Sequence, residues 1–216
     1  MRFTRCRQLF GEDDFSKLQN ARILLLGVGG VGSYALDCLY RSGVRHITVI
    51  DYDTYEESNQ NRQIGSEAVG QRKTEHLTTL YPGITTIHQQ MDMAWVASFD
   101  FTPYDLILDA IDTTRVKIEL ARREYKKLIM SLGSGRRIDP TRIQTTSIWR
   151  SQGDPLARKI RNELKRAKFD RNFTVIFSPE TVRGELQGSF VGVTGAFGLT
   201  LCSVAIRKII EKAKEP

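Results

Sequence analysis

A-R-I-L-L-L-G-V-G-G-V-G, residues 21–32, is a short apolar run that stops at a cluster of glycines, Gly27, Gly29, Gly30 and Gly32. Tyr34, Ala35, Leu36, Cys38 and Leu39 follow with the spacing of one helical face. The stretch therefore reads as strand, tight turn and helix. Residues 47–50 make a second buried strand that ends at Asp51, and residues 66–80 predict a helix that stops before Pro82. Further strands are expected at 84–88, 104–109 and 128–132, with a helix at 113–126 between the last two. Alternation of this kind implies an α/β fold, a Rossmann-like, mainly parallel sheet with helices on both faces. Beyond Gly135 the rhythm changes, because residues 142–149 and 173–177 have strand character without βα repetition. The expected organisation is a βα-repeat core, 1–135, and a small C-terminal α+β extension, 136–216, packed on the same domain. The extension carries mixed strands, a basic helix and an apolar final helix.

The bulk of the chain sets outer limits. Its 216 residues, 40% hydrophobic and 26% charged, are enough for one sizeable core, and neither repeats nor low-complexity segments interrupt them. Residues 1–10 scatter Arg2, Arg5 and Arg7 among isolated apolar residues and lack the continuous apolar run of an export signal. Cys6, Cys38 and Cys202 are odd in number and far apart, with no C-x-x-C pair, so neither a disulfide framework nor a zinc site is expected and a reducing cytoplasm fits. Cys38 and Cys202 fall in apolar patterns and read as core. The run 188–206 approaches the length of a membrane span, but Gly192, Gly195, Gly198, Thr194, Thr200 and Ser203 dilute it, and it reads as a buried helix. No membrane association is expected.

The chemistry is carried by a few positions. Glycines at a strand-to-helix turn let backbone approach phosphates at a helix start whose amides favour anions, which suits NAD, FAD and ATP alike. Asp51 closes the next strand, where an acidic side chain accepts hydrogen bonds from a nucleotide ribose, and Asp53 belongs to the same acidic turn. The segment D-Y-D-T-Y-E-E-S-N-Q-N-R-Q, residues 51–63, followed by Lys73 and by D-A-I-D at 109–112, separates these cofactors. Hydride transfer needs no such cationic set. Arg62 and Lys73 suit a triphosphate, and Asp112 at the end of a strand suits Mg²⁺ on the phosphates.

At these residues the sequence resembles the ThiF family, relatives of the ubiquitin-activating enzymes whose members adenylate a carboxyl group. The likeness runs from R-F-T-R at 2–5 through the glycine loop, Asp51, Asn59, Arg62, Lys73 and Asp112, in the family's order and approximate spacing. The resemblance implies that Asp51 holds ribose, that Asn59, Arg62 and Lys73 hold phosphates, and that Asp112 serves Mg²⁺. It also implies a homodimer in which Arg5 reaches into the partner's nucleotide site. N-R-Q-I at 61–64, I-D-P-T-R-I-Q at 138–144, D-P-L-A-R-K-I-R at 154–161 and V-I-F-S-P-E at 175–180 are similar to one branch, the tRNA threonylcarbamoyladenosine dehydratases. G-S-G-R-R at 133–137 departs from a more glycine-rich family stretch. The branch implies ATP-dependent cyclisation of the modified base through an acyl adenylate. Activation of the C-terminal carboxylate of a ubiquitin-like or sulfur-carrier protein is the alternative within the family.

A net charge of +7 fits an anionic partner. The strongest nucleic-acid candidate is 154–171, where Leu156, Ile160, Leu164 and Ala167 make one helical face and Arg158, Lys159, Arg161, Lys165, Arg166, Lys168 and Arg171 crowd the rest. His46, His76 and His88 share no metal-ligand spacing, and Trp95 and Trp149 read as packing anchors.

Overall fold

The computed structural model describes residues 2–212. Two short helices, α1 (Thr4–Phe10) and α2 (Glu12–Asn20), lead into β1 (Arg22–Leu26), α3 (Gly32–Arg41) and β2 (His46–Asp51). There follow α4 (Lys73–Leu80), β3 (Thr85–His88), α5 (Met93–Ser98), β4 (Leu106–Asp109), α6 (Thr114–Glu124) and β5 (Leu128–Ser131). The chain closes with β6 (Gln144–Ser147), α7 (Pro155–Arg166), β7 (Thr174–Phe177) and α8 (Val191–Lys212).

The seven strands form one sheet in the order β3-β2-β1-β4-β5-β7-β6. All neighbours are parallel except β6, which runs antiparallel to β7. Successive side chains on a strand point to opposite faces, and β1 shows the result. Ile23 and Leu25 join the core under α2, α3 and α8, whereas Leu24 and Leu26 join the core under α5, α6 and α7. All four are fully buried, and burial of each such side chain is worth about 1.5–3 kcal/mol. Because β1 is covered on both sides, it is an unbroken apolar run instead of an alternating one.

The final helix lies along α3 at very short range. A Cβ on Gly198 would meet the Val31 carbonyl oxygen at 2.3 Å, and one on Gly195 would meet the Tyr34 ring at 3.3 Å. Residues 191–211 of α8 are long and apolar enough to cross a membrane, yet 56% of the apolar window is buried inside this fold. Cys202 is fully buried on α8 and Cys38 is partly buried on α3.

The helix expected over 66–80 is shorter, beginning only at Lys73. Gly65 and Gly70 both sit at φ +84°, left-handed backbone that breaks a helix. The intervening residues instead pair with the preceding loop, Gly70 N–H donating to Tyr55 O at 2.8 Å and Tyr55 N–H to Gln71 O at 2.9 Å. That pairing sets Lys73 at the first position of α4, beside the acidic turn after β2. Residues 136–212 do not form a separate layer, since β7 inserts between β5 and β6.

Candidate active site

A cleft of about 950 Å³ opens at the C-terminal ends of the central parallel strands, where the sheet order reverses across β1 and β4. It is lined by the glycine loop and by stretches within 51–63, 110–113, 131–135 and 187–189, together with Lys73, Leu156 and Thr194. Gly27 sits at φ +82° and donates its N–H to Ile50 O at 2.9 Å, turning the chain from β1 toward α3. A Cβ on Gly32 would fall 1.9 Å from the Gly27 carbonyl oxygen, so only glycine allows the helix to start that close to the strand. Gly29 has open space on its exposed side, apart from the Gln63 amide at 3.9 Å.

Asp51 is 5% exposed. Its Oδ2 accepts from Val28 N–H at 2.8 Å and its Oδ1 from Asp53 N–H at 2.8 Å. Burial pushes its carboxyl above the ordinary range, while the Lys73 charge and these two amides pull the other way. The side chain assigned to a ribose by its sequence position thus also braces the glycine loop, and each oxygen keeps one further acceptor site.

Lys73 is buried, and its ammonium pairs with Asp53 at 2.9 Å; Asp53 itself stays half exposed on the cleft. Asn59 ends a single 3-10 turn, Glu57–Asn59, and its amide is spent locally, accepting from Glu56 N–H at 3.2 Å and donating to Ser58 Oγ at 3.3 Å. Arg62 lays its alkyl stem against Gly30, and its guanidinium donates to Ser58 O at 2.7 Å and Asn61 Oδ1 at 2.8 Å. Asp112 is exposed just past β4, with the Thr113 hydroxyl 3.3 Å from its Oδ1. The fold therefore brings Gly27, Gly29, Gly30, Asp51, Asp53, Asn59, Arg62, Lys73 and Asp112 to one cleft, with Gly32 packed directly behind. Arg5 stands apart, exposed on α1 and outside the cleft of its own chain.

Several lining groups carried no sequence signal. Gln63, 8% exposed, leaves its Oε1 without a partner. Its place beside Arg62 in the 51–63 stretch was the only hint. Residues 187–189 and Thr194 arrive from far along the chain, with no pattern to flag them, whereas 133–135 fall in the G-S-G-R-R stretch. Behind the wall, Lys117 donates to Asp109 Oδ1 at 3.0 Å and to Ser131 O at 2.8 Å, both side chains fully buried.

The basic stretch becomes α7, which Asp154 caps by accepting from Ala157 N–H at 2.7 Å. Arg158, Lys159, Lys165 and Lys168 are exposed. Arg161 instead turns inward to the Ser151 backbone and hydroxyl, and Arg166 pairs with Glu163 at 2.6 Å. Leu156, in the first turn of α7, lines the cleft, so the basic helix starts at its wall.

The donor set fits a nucleoside triphosphate. The open backbone at Gly29, a buried lysine and an arginine converge there. Among the described residues no group of three or more metal-ligating side chains occurs. A single carboxylate such as Asp112 is what Mg²⁺ needs when phosphates and water complete its shell.

The family model for ThiF matches residues 3–216. The chain is 34% identical to the tRNA threonylcarbamoyladenosine dehydratase of Bacillus subtilis, over 83% of this chain and 75% of that one. It is 31% identical to the dehydratase of the same name from Escherichia coli, over 98% of this chain and 94% of that one. A crystal structure of the Escherichia coli enzyme in complex with ATP superposes with a TM-score of 0.90 at 33% identity, covering 98% of this chain and 95% of that one. A match of this extent, on a chain whose cleft gathers the glycine loop and its cations, makes the protein a member of the ThiF family.

Proposed function

We propose that this chain is an ATP-dependent tRNA threonylcarbamoyladenosine dehydratase. The observation that carries the reading is the convergence of glycine loop, Arg62, Lys73 and Asp112 on one cleft whose wall is the first turn of a basic helix. In this mechanism the free carboxylate of threonylcarbamoyladenosine attacks the α-phosphorus of ATP, forming an acyl–phosphate bond and expelling pyrophosphate. Arg62 and Lys73 offset the negative charge that builds on the phosphates, and Asp112 would hold Mg²⁺, which would supply further positive charge there. The neighbouring carbamoyl group then closes a ring on the activated carbonyl and expels AMP. Nucleophile and electrophile belong to one molecule, so no enzyme nucleophile takes part.

Asp51 plays a double part, bracing the glycine loop and offering its remaining acceptor sites to the ribose. Asn59 acts by holding the turn that presents Arg62. Arg5 serves the site of a second copy in a homodimer, and its exposure on α1 leaves it free to do so. Arg158, Lys159, Lys165 and Lys168 track tRNA phosphates, which supply affinity without sequence information. The tRNA substrate and the three unpaired thiols fit a cytoplasmic setting.

Incubation with ATP, Mg²⁺ and tRNA carrying threonylcarbamoyladenosine is expected to release AMP and pyrophosphate in step with cyclised nucleoside detected by mass spectrometry. Arg62→Ala is expected to lower that rate on the order of a hundredfold, the usual cost of one lost charge stabiliser. Pyrophosphate exchange driven by a Gly-Gly-ended carrier protein and not by the modified tRNA would overturn the reading.

A further inference from the structure

Arg137 is 2% exposed, and its guanidinium joins three segments of the chain. One terminal nitrogen donates to Gly133 O, where the chain leaves β5 along the cleft wall. The other donates to Asp154 Oδ2 at 2.7 Å and to Ser178 O at 3.2 Å, while Nε donates to Glu180 O at 3.2 Å. Asp154 is the residue that caps α7, and its other oxygen is committed to Ala157 N–H. Ser178 and Glu180 begin a strap that runs back to the cleft at residues 187–189. The strap is fixed at its far end by the neighbouring arginine, whose backbone N–H donates to Gly188 O at 2.8 Å.

Arg136 adopts φ +60°, a left-handed conformation costly for a residue with a side chain. Its guanidinium reaches Gly184 O at 2.9 Å, holding the strap at a third point.

We infer that Arg137 is a positioning residue for the proposed reaction. It fixes the RNA-bearing helix α7 against the cleft wall at Gly133, and so fixes where the carboxylate of a bound tRNA meets ATP. The inference rests on the function proposed above. Only a planar fork with several separated donors spans these acceptors, whereas a lysine ammonium is a single point charge. Neither the nucleotide contacts nor the exposed cations of α7 involve Arg137, so binding and chemistry separate in its variants.

The test uses the full chain and two variants. Arg137→Lys keeps the charge opposite Asp154 and loses the fork; the double variant Arg137→Met, Asp154→Asn removes both charges and keeps a helix cap. Three quantities are compared with the unaltered chain: ATP affinity, affinity for the modified tRNA, and the single-turnover rate of cyclisation with both bound. Both affinities are expected to stay within about twofold while the single-turnover rate drops on the order of a hundredfold, as misplacement by an ångström costs. A rate retained in both variants would overturn the positioning role, as would a rate lost only in proportion to ATP or tRNA affinity or to folded fraction in a thermal melt. No turnover by the unaltered chain would overturn the functional reading itself, and this inference with it.

Discussion

Asp51 illustrates how a buried cleft carboxylate can work against the stability of its own fold. Two backbone N–H groups donate to its oxygens and favour the ionised form, yet burial outweighs them and raises its pKa above the ordinary 3.8. The folded carboxyl then binds its proton more tightly than the unfolded one. Its contribution to stability is fully present below the ordinary value and is lost as pH climbs through the raised one. Urea melts over a pH series are expected to show the unfolding free energy falling with rising pH across that window relative to Asp51→Asn; a constant difference would refute it. The sequence singled out Asp51, Arg62, Lys73 and Asp112 by residue type and spacing, and the fold brings all four to one cleft. The sequence did not show that Asp51 also faces its own glycine loop, or that Lys73 is paired with Asp53, because side-chain direction is set by packing that no local pattern encodes.

At the scale of elements, the contact between α3 and α8 is made by small residues. The obstacle a Cβ on Gly198 would meet is the backbone carbonyl of Val31, which has no rotamer to escape into. Gly198→Ala gains helix propensity worth about 1 kcal/mol. It forces the two helices apart, and overpacking of this kind is expected to leave a net loss of about 1–2 kcal/mol in guanidinium melts. Because Val31 lines the cleft, ATP affinity is expected to fall along with stability. The strands β1, β2, β4 and β5 were legible as apolar runs. The start of α4 was not, since apolar periodicity continued through 66–72 while Gly65 and Gly70 and pairing with the Tyr55 segment decided the backbone. Strand β6 was legible as a strand, but its neighbour was not, because pairing across the sheet depends on which strand arrives later in the chain.

The whole molecule joins a sheet-end cleft to a basic helix on a chain of net charge +7. Reversal of Arg158, Lys159 and Lys165 to glutamate is expected to weaken tRNA binding and to flatten its dependence on salt, by about one unit of log–log slope for each phosphate no longer neutralised. ATP affinity should hold, and filter binding across a salt series checks both. The order β5-β7-β6 has a further consequence during synthesis. Strand β6 leaves the ribosome before the strand that will separate it from β5, so until Thr174–Phe177 is made β5 remains an open border and β6 has no sheet partner. Open borders recruit strands from other chains. The interval between translation of β6 and of β7 is therefore where this protein is most exposed to misassembly, and where a nascent-chain chaperone has the most to shield.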